Sequence, residues 1–113
     1  MRVGVIGSRG FDNYDLVCQE LNPIKNDIDI IVSGGAKGAD TLGEKWAKEN
    51  NVNTLIFKPD WNKWGKRAGF IRNKDIVDNS DYVIAFWDGS SPGTLSSIKL
   101  CKKAGRKIKI VKY

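Results

Sequence analysis

The sequence predicts an α/β fold built on one five-stranded, mostly parallel sheet with helices on both faces. Short apolar runs alternate along the chain with amphipathic segments of helical periodicity, without repeats or a linker. Four of the runs are almost continuously apolar, which is typical of parallel strands covered on both sides. We therefore expect a small Rossmann-like, doubly wound fold in a single domain, residues 1–113.

The first half of the chain predicts three strands and two helices. Strands are expected at Arg2–Ile6, Ile28–Ser33 and Asn53–Phe57. The first helix is expected over Asn13–Leu21, after Asp12. The second, over Ala39–Glu49, has a single apolar face because its small and apolar residues recur at spacings of three and four: Ala39, Leu42, Gly43, Trp46 and Ala47.

The second half continues the alternation of helix and strand. A helical segment around Lys66–Val77 leads to a strand at Tyr82–Trp87, and a helix over Thr94–Ala104 leads to a strand at Lys107–Lys112. Lysine alternates with isoleucine in the last strand. Such an alternation is typical of an edge strand that uses charge to prevent aggregation.

The residue types that are missing exclude several kinds of chemistry. The chain has no histidine, which excludes imidazole bases, histidine metal ligands and Ser/His or Cys/His nucleophile pairs. Cys18 and Cys101 lie on apolar helical faces, so we expect reduced core thiols and no metal site or cofactor. No apolar stretch approaches the roughly 20 residues that span a bilayer, and the start of the sequence does not predict a signal peptide. We expect a cytoplasmic protein without a membrane partner.

Three glycine- or serine-rich loops follow predicted strands: Gly7–Gly10, Ser33–Asp40 and Asp88–Thr94. Ligands of open parallel sheets bind beyond the carboxyl ends of the strands, where the strand order reverses. Glycine lets the backbone approach a ligand, and the free N–H groups and dipole at a helix start attract an anion. The loops together predict a phosphate-bearing ligand, although a tight structural turn is the alternative for each one alone. Neither the G-x-G-x-x-G fingerprint nor a P-loop is present.

Short motifs in a fixed order extend this prediction. They are Val5–Arg9, Val32–Asp40, Pro59–Trp61 with Gly65-Lys66 and Ala68-Gly69, Arg72-Asn73, and Ala85–Ser90 with Gly93-Thr94. Together they resemble the YspA/YpsA-related branch of the SLOG superfamily over almost the whole chain. The resemblance implies a Rossmann-like fold that holds a nucleotide or nucleotide derivative at the glycine loops. SLOG relatives include LOG phosphoribohydrolases, the single-strand-binding mediator DprA and sensors of nucleotide second messengers, and fold transfers between them more safely than activity.

This chain differs from the LOG-type hydrolases at the position of their catalytic acid. LOG-type enzymes carry Pro-Gly-Gly-x-Gly-Thr-x-x-Glu, whereas this chain has serines, Ser96 and Ser97, where that acid would fall. A serine hydroxyl is not a general base at neutral pH without a partner base. Whether the chain is an enzyme therefore stays open, with Asp40, Glu44 and Asp88 as candidate acids. For Asp40 and Glu44 the alternative is a helix-start charge and a solvated side chain.

The predicted ligand-binding residues lie in or beside the three loops. We expect Arg9 nearest to a phosphate, because a guanidinium bonds several phosphate oxygens at once. Arg72 and Asn73 either contact the ligand or brace the loops, and Trp61 and Trp64 form a pocket wall or a subunit contact. The full set is Gly7, Ser8, Arg9, Ser33, Gly34, Gly35, Lys37, Gly38, Asp40, Trp61, Arg72, Asn73, Asp88, Gly89, Ser90, Ser91, Gly93 and Thr94.

The net charge is +6, and the C-terminal part concentrates cations with no acid among them: Lys99, Lys102, Lys103, Arg106, Lys107, Lys109 and Lys112. These cations either attract an anionic partner or only protect the last strand from aggregation. We predict a sensor or sequestering protein for a nucleotide-derived small molecule, cyclic and signalling nucleotides included, either as a monomer or as a homo-oligomer. Two alternatives stay open: a hydrolase of a nucleotide N-glycosidic or phosphate bond, and DprA-like binding of single-stranded nucleic acid.

Overall fold

All five strands form one sheet in the computed structural model, which describes residues 1–113. The strand order is β3-β2-β1-β4-β5, and every neighbouring pair is parallel. The predicted α/β class is therefore confirmed, with a sheet that is parallel throughout. The strands are β1 (Arg2–Gly7), β2 (Ile30–Ser33), β3 (Asn53–Ile56), β4 (Tyr82–Trp87) and β5 (Lys107–Lys112).

Five α-helices connect the strands: α1 (Tyr14–Leu21), α2 (Ala39–Glu49), α3 (Trp61–Trp64), α4 (Ala68–Asp78) and α5 (Pro92–Lys103). Short 3₁₀ turns at Asn22–Asp27 and Gly65–Arg67 follow α1 and α3. The bounds of α2, β4 and β5 agree with the sequence prediction. Three elements were not predicted: α3 and the two 3₁₀ turns.

The first strands and helices differ from the prediction by one or two residues, for local reasons. Asn13 caps α1 rather than joining it, because its side-chain oxygen accepts the N–H of Leu16 at 3.1 Å. Strand β2 begins after Ile28, because the N–H of Ile28 bonds to the carbonyl of Lys25 in the preceding 3₁₀ turn.

The two faces of the sheet carry two separate cores. On one face, Val3 and Val5 of β1 lie with the buried side chains of α1 and α2, including the fully buried Trp46. On the other, Ile6 lies with buried residues of α4 and α5. This alternation along β1 is the period of two that a strand imposes, and it confirms helices on both faces.

Cys101 belongs to the second core, and burial raises the pKa of its thiol to about 11. Cys18 is half-buried and packs against the first core, and both thiols are free. No helix combines the length and apolar character that a membrane crossing requires.

The centre of the sheet positions the site. Strands β1 and β4 are neighbours, with Gly7 opposite Phe86 at their carboxyl ends. After β1 the chain turns to the face that carries α1, whereas after β4 it turns to the face that carries α5. The connections diverge, so a crevice opens between them at this edge.

Candidate ligand-binding site

A cavity of about 460 Å³ occupies the crevice beyond β1 and β4. It is mostly polar and lies within the range of about 300–1,000 Å³ that is usual for ligand pockets. Its lining comes from all three predicted loops and from α4: Ile6, Gly7, Ser8, Arg9, Gly10, Ala36, Asp40, Arg72, Asn73, Ile76, Asp88, Ser91, Pro92, Gly93, Thr94 and Ser97.

Close backbone packing joins the first two loops. Gly38 has a φ of +86°, and a Cβ atom there would meet the carbonyl oxygen of Ser8 and lie 2.7 Å from that of Arg9. Only glycine satisfies both conditions without strain. Gly38 therefore sets how closely the start of α2 approaches the loop that carries Arg9.

Hydroxyl groups join the first loop to the third. The hydroxyls of Ser8 and Ser91 lie 2.9 Å apart, and that of Ser91 donates to Asp88 Oδ2 at 2.8 Å. Asp88 Oδ1 accepts the N–H groups of Ser90 and Ser91 at 2.9 and 2.8 Å. These hydrogen bonds, with the Ser90 amide first, lower the pKa of Asp88 to about 2. Asp88 is thus an ionised carboxylate whose oxygens brace its own loop.

Asp40 is a buried carboxylate at the cavity. It is 5% exposed, and its Oδ2 accepts the N–H groups of Gly34 and Ala36 at 3.0 and 3.4 Å. Burial raises the pKa of the carboxyl to about 6, against the opposing effects of the Ala36 amide and the charge of Arg72. The amides of Gly34 and Ala36 are therefore engaged by Asp40.

Glu44 lies one helical turn after Asp40 but does not line the cavity. Its carboxylate accepts the buried hydroxyl of Ser33 at 2.6 Å. Ser33 in turn accepts the N–H of Gly35 at 3.2 Å. Glu44 and Ser33 therefore support the second loop from behind.

Two guanidinium groups lie at the cavity, one half-buried and hydrogen-bonded and the other exposed. Arg72 is half-buried and donates from Nη1 to the carbonyl of Gly34 at 2.7 Å and from Nε to Asn73 Oδ1 at 2.9 Å. Burial lowers the pKa of Arg72; the charge of Asp40 opposes this effect and that of Arg9 adds to it. Arg9 is exposed and forms no ion pair with a carboxylate. The two cations therefore repel each other across the cavity.

The first turn of α5 completes the cavity. Ser91 is its N-cap residue, and no side chain hydrogen-bonds to the turn. Since Pro92 has no N–H, Gly93 and Thr94 provide the unpaired amides at this end of the helix, and both residues line the cavity. Ser97 lies one turn further along, and its hydroxyl donates to the Gly93 carbonyl at 3.4 Å.

A second cavity, of about 630 Å³, adjoins the first. Five residues line both: Arg9, Ala36, Arg72, Asn73 and Gly93. No acidic residue lines the second cavity, whereas two large exposed aromatic side chains do. Its remaining lining residues are Gly34, Gly35, Lys58, Pro59, Trp61, Gly69, Phe70 and Ser96.

Most of the predicted ligand-binding residues line one of these two cavities. The exceptions are Ser33, Lys37, Gly38, Gly89 and Ser90, together with the candidate acid Glu44. Lys37 is exposed outside both cavities. Trp64, expected as a pocket wall or a subunit contact, lines neither cavity. Trp87 packs against the second core.

Sequence reasoning missed several lining residues, of which Lys58 and Phe70 are the most informative. Lys58 precedes the Pro59 motif by one position, and its charge beside that motif was an available signal. Phe70 had no such signal, because an apolar residue within a predicted helix is normally assigned to the core. It is 54% exposed.

Comparison with known proteins identifies relatives of this chain. A model of the family described as "YspA, cpYpsA-related SLOG family" matches residues 1–64. The Gene 61 protein of Mycobacterium phage D29 is 33% identical over 114 residues, which cover 92% of this chain and 90% of that protein.

Two solved structures share the fold. DNA processing protein A (DprA) from Streptococcus pneumoniae has a TM-score of 0.79 at 26% identity, over 96% of this chain and 49% of that one. The protein of the same name from Helicobacter pylori, whose structure describes a single-stranded DNA binding mode, has a TM-score of 0.69 at 22% identity, over 97% and 64%. The chain therefore spans less than two thirds of either protein.

Proposed function

The chain belongs to the YspA, cpYpsA-related SLOG family, and on that premise we propose that it binds a nucleotide or nucleotide-derived small molecule in the crevice between β1 and β4. The phosphate lies at the start of α5. The observation that carries this proposal is the meeting of two guanidinium groups, on Arg9 and Arg72, with the unpaired amides of that helix.

The electrostatics of this corner favour an anion for two separate reasons. The first-turn amides and dipole of a 12-residue helix stabilise negative charge at its start. In addition, Arg9 and Arg72 repel each other, and Arg9 has no carboxylate partner. A phosphate between them relieves that repulsion and provides pairs of oxygens that accept bidentate hydrogen bonds from the planar guanidinium groups.

The positions of the carboxylates favour binding of the ligand without a reaction. Asp88 is hydrogen-bonded within its own loop, and Glu44 lies outside the cavity. Ser96 and Ser97 stand where the resemblance to LOG-type enzymes places the acid. The ligand is therefore captured rather than consumed. Sensing and sequestration of a small nucleotide, signalling nucleotides included, both fit such a site.

Asp40 favours a second candidate function, hydrolysis of a nucleotide. A buried carboxyl with a pKa of about 6 at a cavity exchanges its proton near neutral pH, as general acids and bases do. The 26% identity to a protein named for DNA processing keeps nucleic acid as a further candidate partner. Against it, Lys109 of the basic C-terminal part is paired with Glu20 at 2.7 Å, and β5 is an edge strand.

Ligand-induced stabilisation tests the leading proposal. Purified protein is melted alone, with the four nucleoside monophosphates, and with the matching nucleosides. Nucleotides are expected to raise the melting temperature by preferential binding to the folded state, and nucleosides much less. A panel of mono-, di- and cyclic nucleotides that leaves the melting temperature unchanged would overturn the proposal.

A variant at Gly93 locates the site in the same assay. A Cβ atom at Gly93 meets nothing within 4 Å, so Gly93→Val leaves the core untouched while it crowds the helix start. Ala104→Val is the matched control, because Ala104 is exposed at the opposite end of the same helix and lies outside both cavities. Nucleotide-induced stabilisation is expected to disappear in Gly93→Val and to persist in Ala104→Val.

A further inference from the structure

The two cavities meet at a cationic boundary. Of the five residues common to both, Arg9 and Arg72 carry the charge and Gly93 carries a first-turn amide of α5. A phosphate attracted to these groups therefore lies between the cavities and not at the closed end of either. Free space extends away from the phosphate on two sides: the first cavity has a volume of about 460 Å³ and the second about 630 Å³.

The second cavity suits a flat aromatic group. Trp61 and Phe70 line it while 55% and 54% exposed, a large apolar surface to leave in contact with water. The Trp61 ring lies over Gly69, 3.7 Å from the position of a Cβ atom there. Aromatic faces of this kind bind nucleobases by stacking, whichever base is present.

The first cavity suits a different chemical group. No aromatic residue lines it, and hydroxyl-bearing side chains line the part contributed by the first and third loops and α5: Ser8, Ser91, Thr94 and Ser97. Groups of this type hydrogen-bond to sugars. The two sides of the boundary are therefore chemically unlike, one aromatic and one hydroxyl-rich.

We propose that the ligand is a nucleotide whose phosphate is linked on both sides, as a phosphodiester or a pyrophosphate. The base on one side stacks against Trp61 and Phe70 in the second cavity, and a sugar-bearing group on the other side occupies the first. The cations Arg9, Arg72 and Lys58, with no acid in the second cavity, hold the linkage between them. This inference rests on the proposed function and narrows its ligand class.

Isothermal titration with adenine ligands tests the two-sided linkage. Adenosine monophosphate carries more negative charge than the dinucleotide adenylyl-adenosine, so charge alone favours the monophosphate. Cyclic adenosine monophosphate matches the charge of the dinucleotide but has only one nucleoside. Adenosine diphosphate ribose provides the pyrophosphate linkage.

The expected result is that adenylyl-adenosine or adenosine diphosphate ribose binds at least about tenfold more tightly than adenosine monophosphate and cyclic adenosine monophosphate, and which of the two does so identifies the linkage. If adenosine monophosphate or cyclic adenosine monophosphate binds as tightly, the two-sided inference is wrong and the proposed function stands. If no ligand binds, the proposed function fails as well.

Variants of the aromatic residues test where the base lies. Trp61→Ala and Phe70→Ala are each expected to weaken the better two-sided ligand by about fivefold or more, because one stacking surface is lost. Trp61→Phe keeps a ring and is expected to retain most of the affinity. Trp64→Ala, on the same short helix but outside both cavities, is the control. Unchanged affinity in Trp61→Ala and Phe70→Ala, with thermal unfolding like that of the parent, would overturn the assignment.

Discussion

Arg72 Nη1 donates a hydrogen bond of 2.7 Å to the carbonyl oxygen of Gly34, a residue that precedes it by 38 positions. The N–H of Gly34 is bonded to Asp40 Oδ2 at 3.0 Å. A Cβ atom at Gly34 would lie 2.6 Å from Arg72 Nη1 and 2.8 Å from Asp40 Oδ2. The glycine is therefore held by an arginine and a carboxylate that occupy the space of a side chain, which fixes the second loop against α4.

Replacement of Arg72 is expected to destabilise the domain as well as to weaken binding. Arg72→Met leaves the carbonyl of Gly34 without this partner and removes one cation from the boundary. A loss of about 1–3 kcal/mol in the free energy of unfolding is expected, typical of an unsatisfied buried acceptor. Denaturant titration measures it. Arg72→Lys, which keeps the charge but not the planar fork, is expected to fall between Arg72→Met and the parent.

Replacement of Arg9 is expected to weaken nucleotide binding without changing the stability of the free protein. Its side chain is exposed and has no carboxylate partner, so Arg9→Ala leaves the melting temperature of the free protein nearly unchanged. Nucleotide affinity is expected to fall by about 1.5–3 kcal/mol, the contribution of a charge-assisted hydrogen bond. Lys37→Ala removes an equal charge from the neighbouring loop, outside both cavities, and equal losses in the two variants would contradict a direct role for Arg9.

Asp40 is expected to make stability depend on pH. The native carboxyl has a pKa of about 6, above the usual 3.8, so the native state binds more protons than the unfolded state between these values. Stability is therefore highest, with respect to this group, below about pH 4 and declines as the pH rises through 6. Asp40→Asn removes the cost of ionising a buried group.

The free energy of unfolding of Asp40→Asn relative to the parent is thus expected to be higher by up to about 2–3 kcal/mol at pH 7. The difference is expected to vanish near pH 4. Parallel denaturant titrations at the two pH values measure it, and a difference independent of pH would show that Asp40 is not titrating.

Gly38 and Gly35 are expected to differ in their tolerance of alanine. Both have positive φ, +86° and +69°, so alanine at either position incurs roughly 1–2 kcal/mol of backbone strain. At Gly38 the new Cβ also meets backbone carbonyl oxygens of Ser8 and Arg9, whereas at Gly35 it meets side-chain atoms of Ile56 and Lys58. Thermal unfolding is expected to show a clearly larger loss of stability for Gly38→Ala. Equal losses in the two variants would mean that the first loop moves away from the new Cβ atom without a cost in stability.

Nucleoside monophosphates are expected to be recovered intact after prolonged incubation with the protein. Ser96 and Ser97 stand where the resemblance to LOG-type enzymes places an acid, and Asp88 is an ionised carboxylate with a pKa of about 2 that is bonded to its own loop. Chromatography of the products distinguishes the outcomes. Release of free base at enzymatic rates that Asp40→Asn abolishes would support the hydrolase candidate, and Asp88→Asn is expected to have no effect on such a rate.

The strands and the three loops could be predicted because their signals are local. A run such as Tyr82–Trp87 is apolar at almost every position, and helix α2 shows its buried face in its own spacing. In contrast, α3 has four residues, too few to show periodicity. It begins because Asp60 Oδ1 accepts the N–H of Lys63 at 3.1 Å, a cap that its short sequence only weakly indicates.

The rest of the site depends on contacts between distant parts of the chain. The sequence indicated that Arg72 belonged near the loops but not that it would bond to Gly34. It also predicted free amides at a helix start, and both α2 and α5 begin without a side-chain cap, whereas Asp40 binds two amides of the loop before α2. Such competition between a side chain and a ligand for the same donors is decided only by the folded geometry.

The central place of β1 has a consequence for synthesis on the ribosome. Ile84 and Phe86 of β4 belong to the same core as Val3 and Trp46, and the N–H of Arg2 bonds to Asp81, 79 residues away, at 2.8 Å. A nascent chain that lacks β4 therefore exposes one side of this core, and closing so long a loop carries an entropic cost of about 4 kcal/mol. Because one wall of the crevice comes from the same late segment, the crevice is complete only when residues as far as Ser97 have emerged.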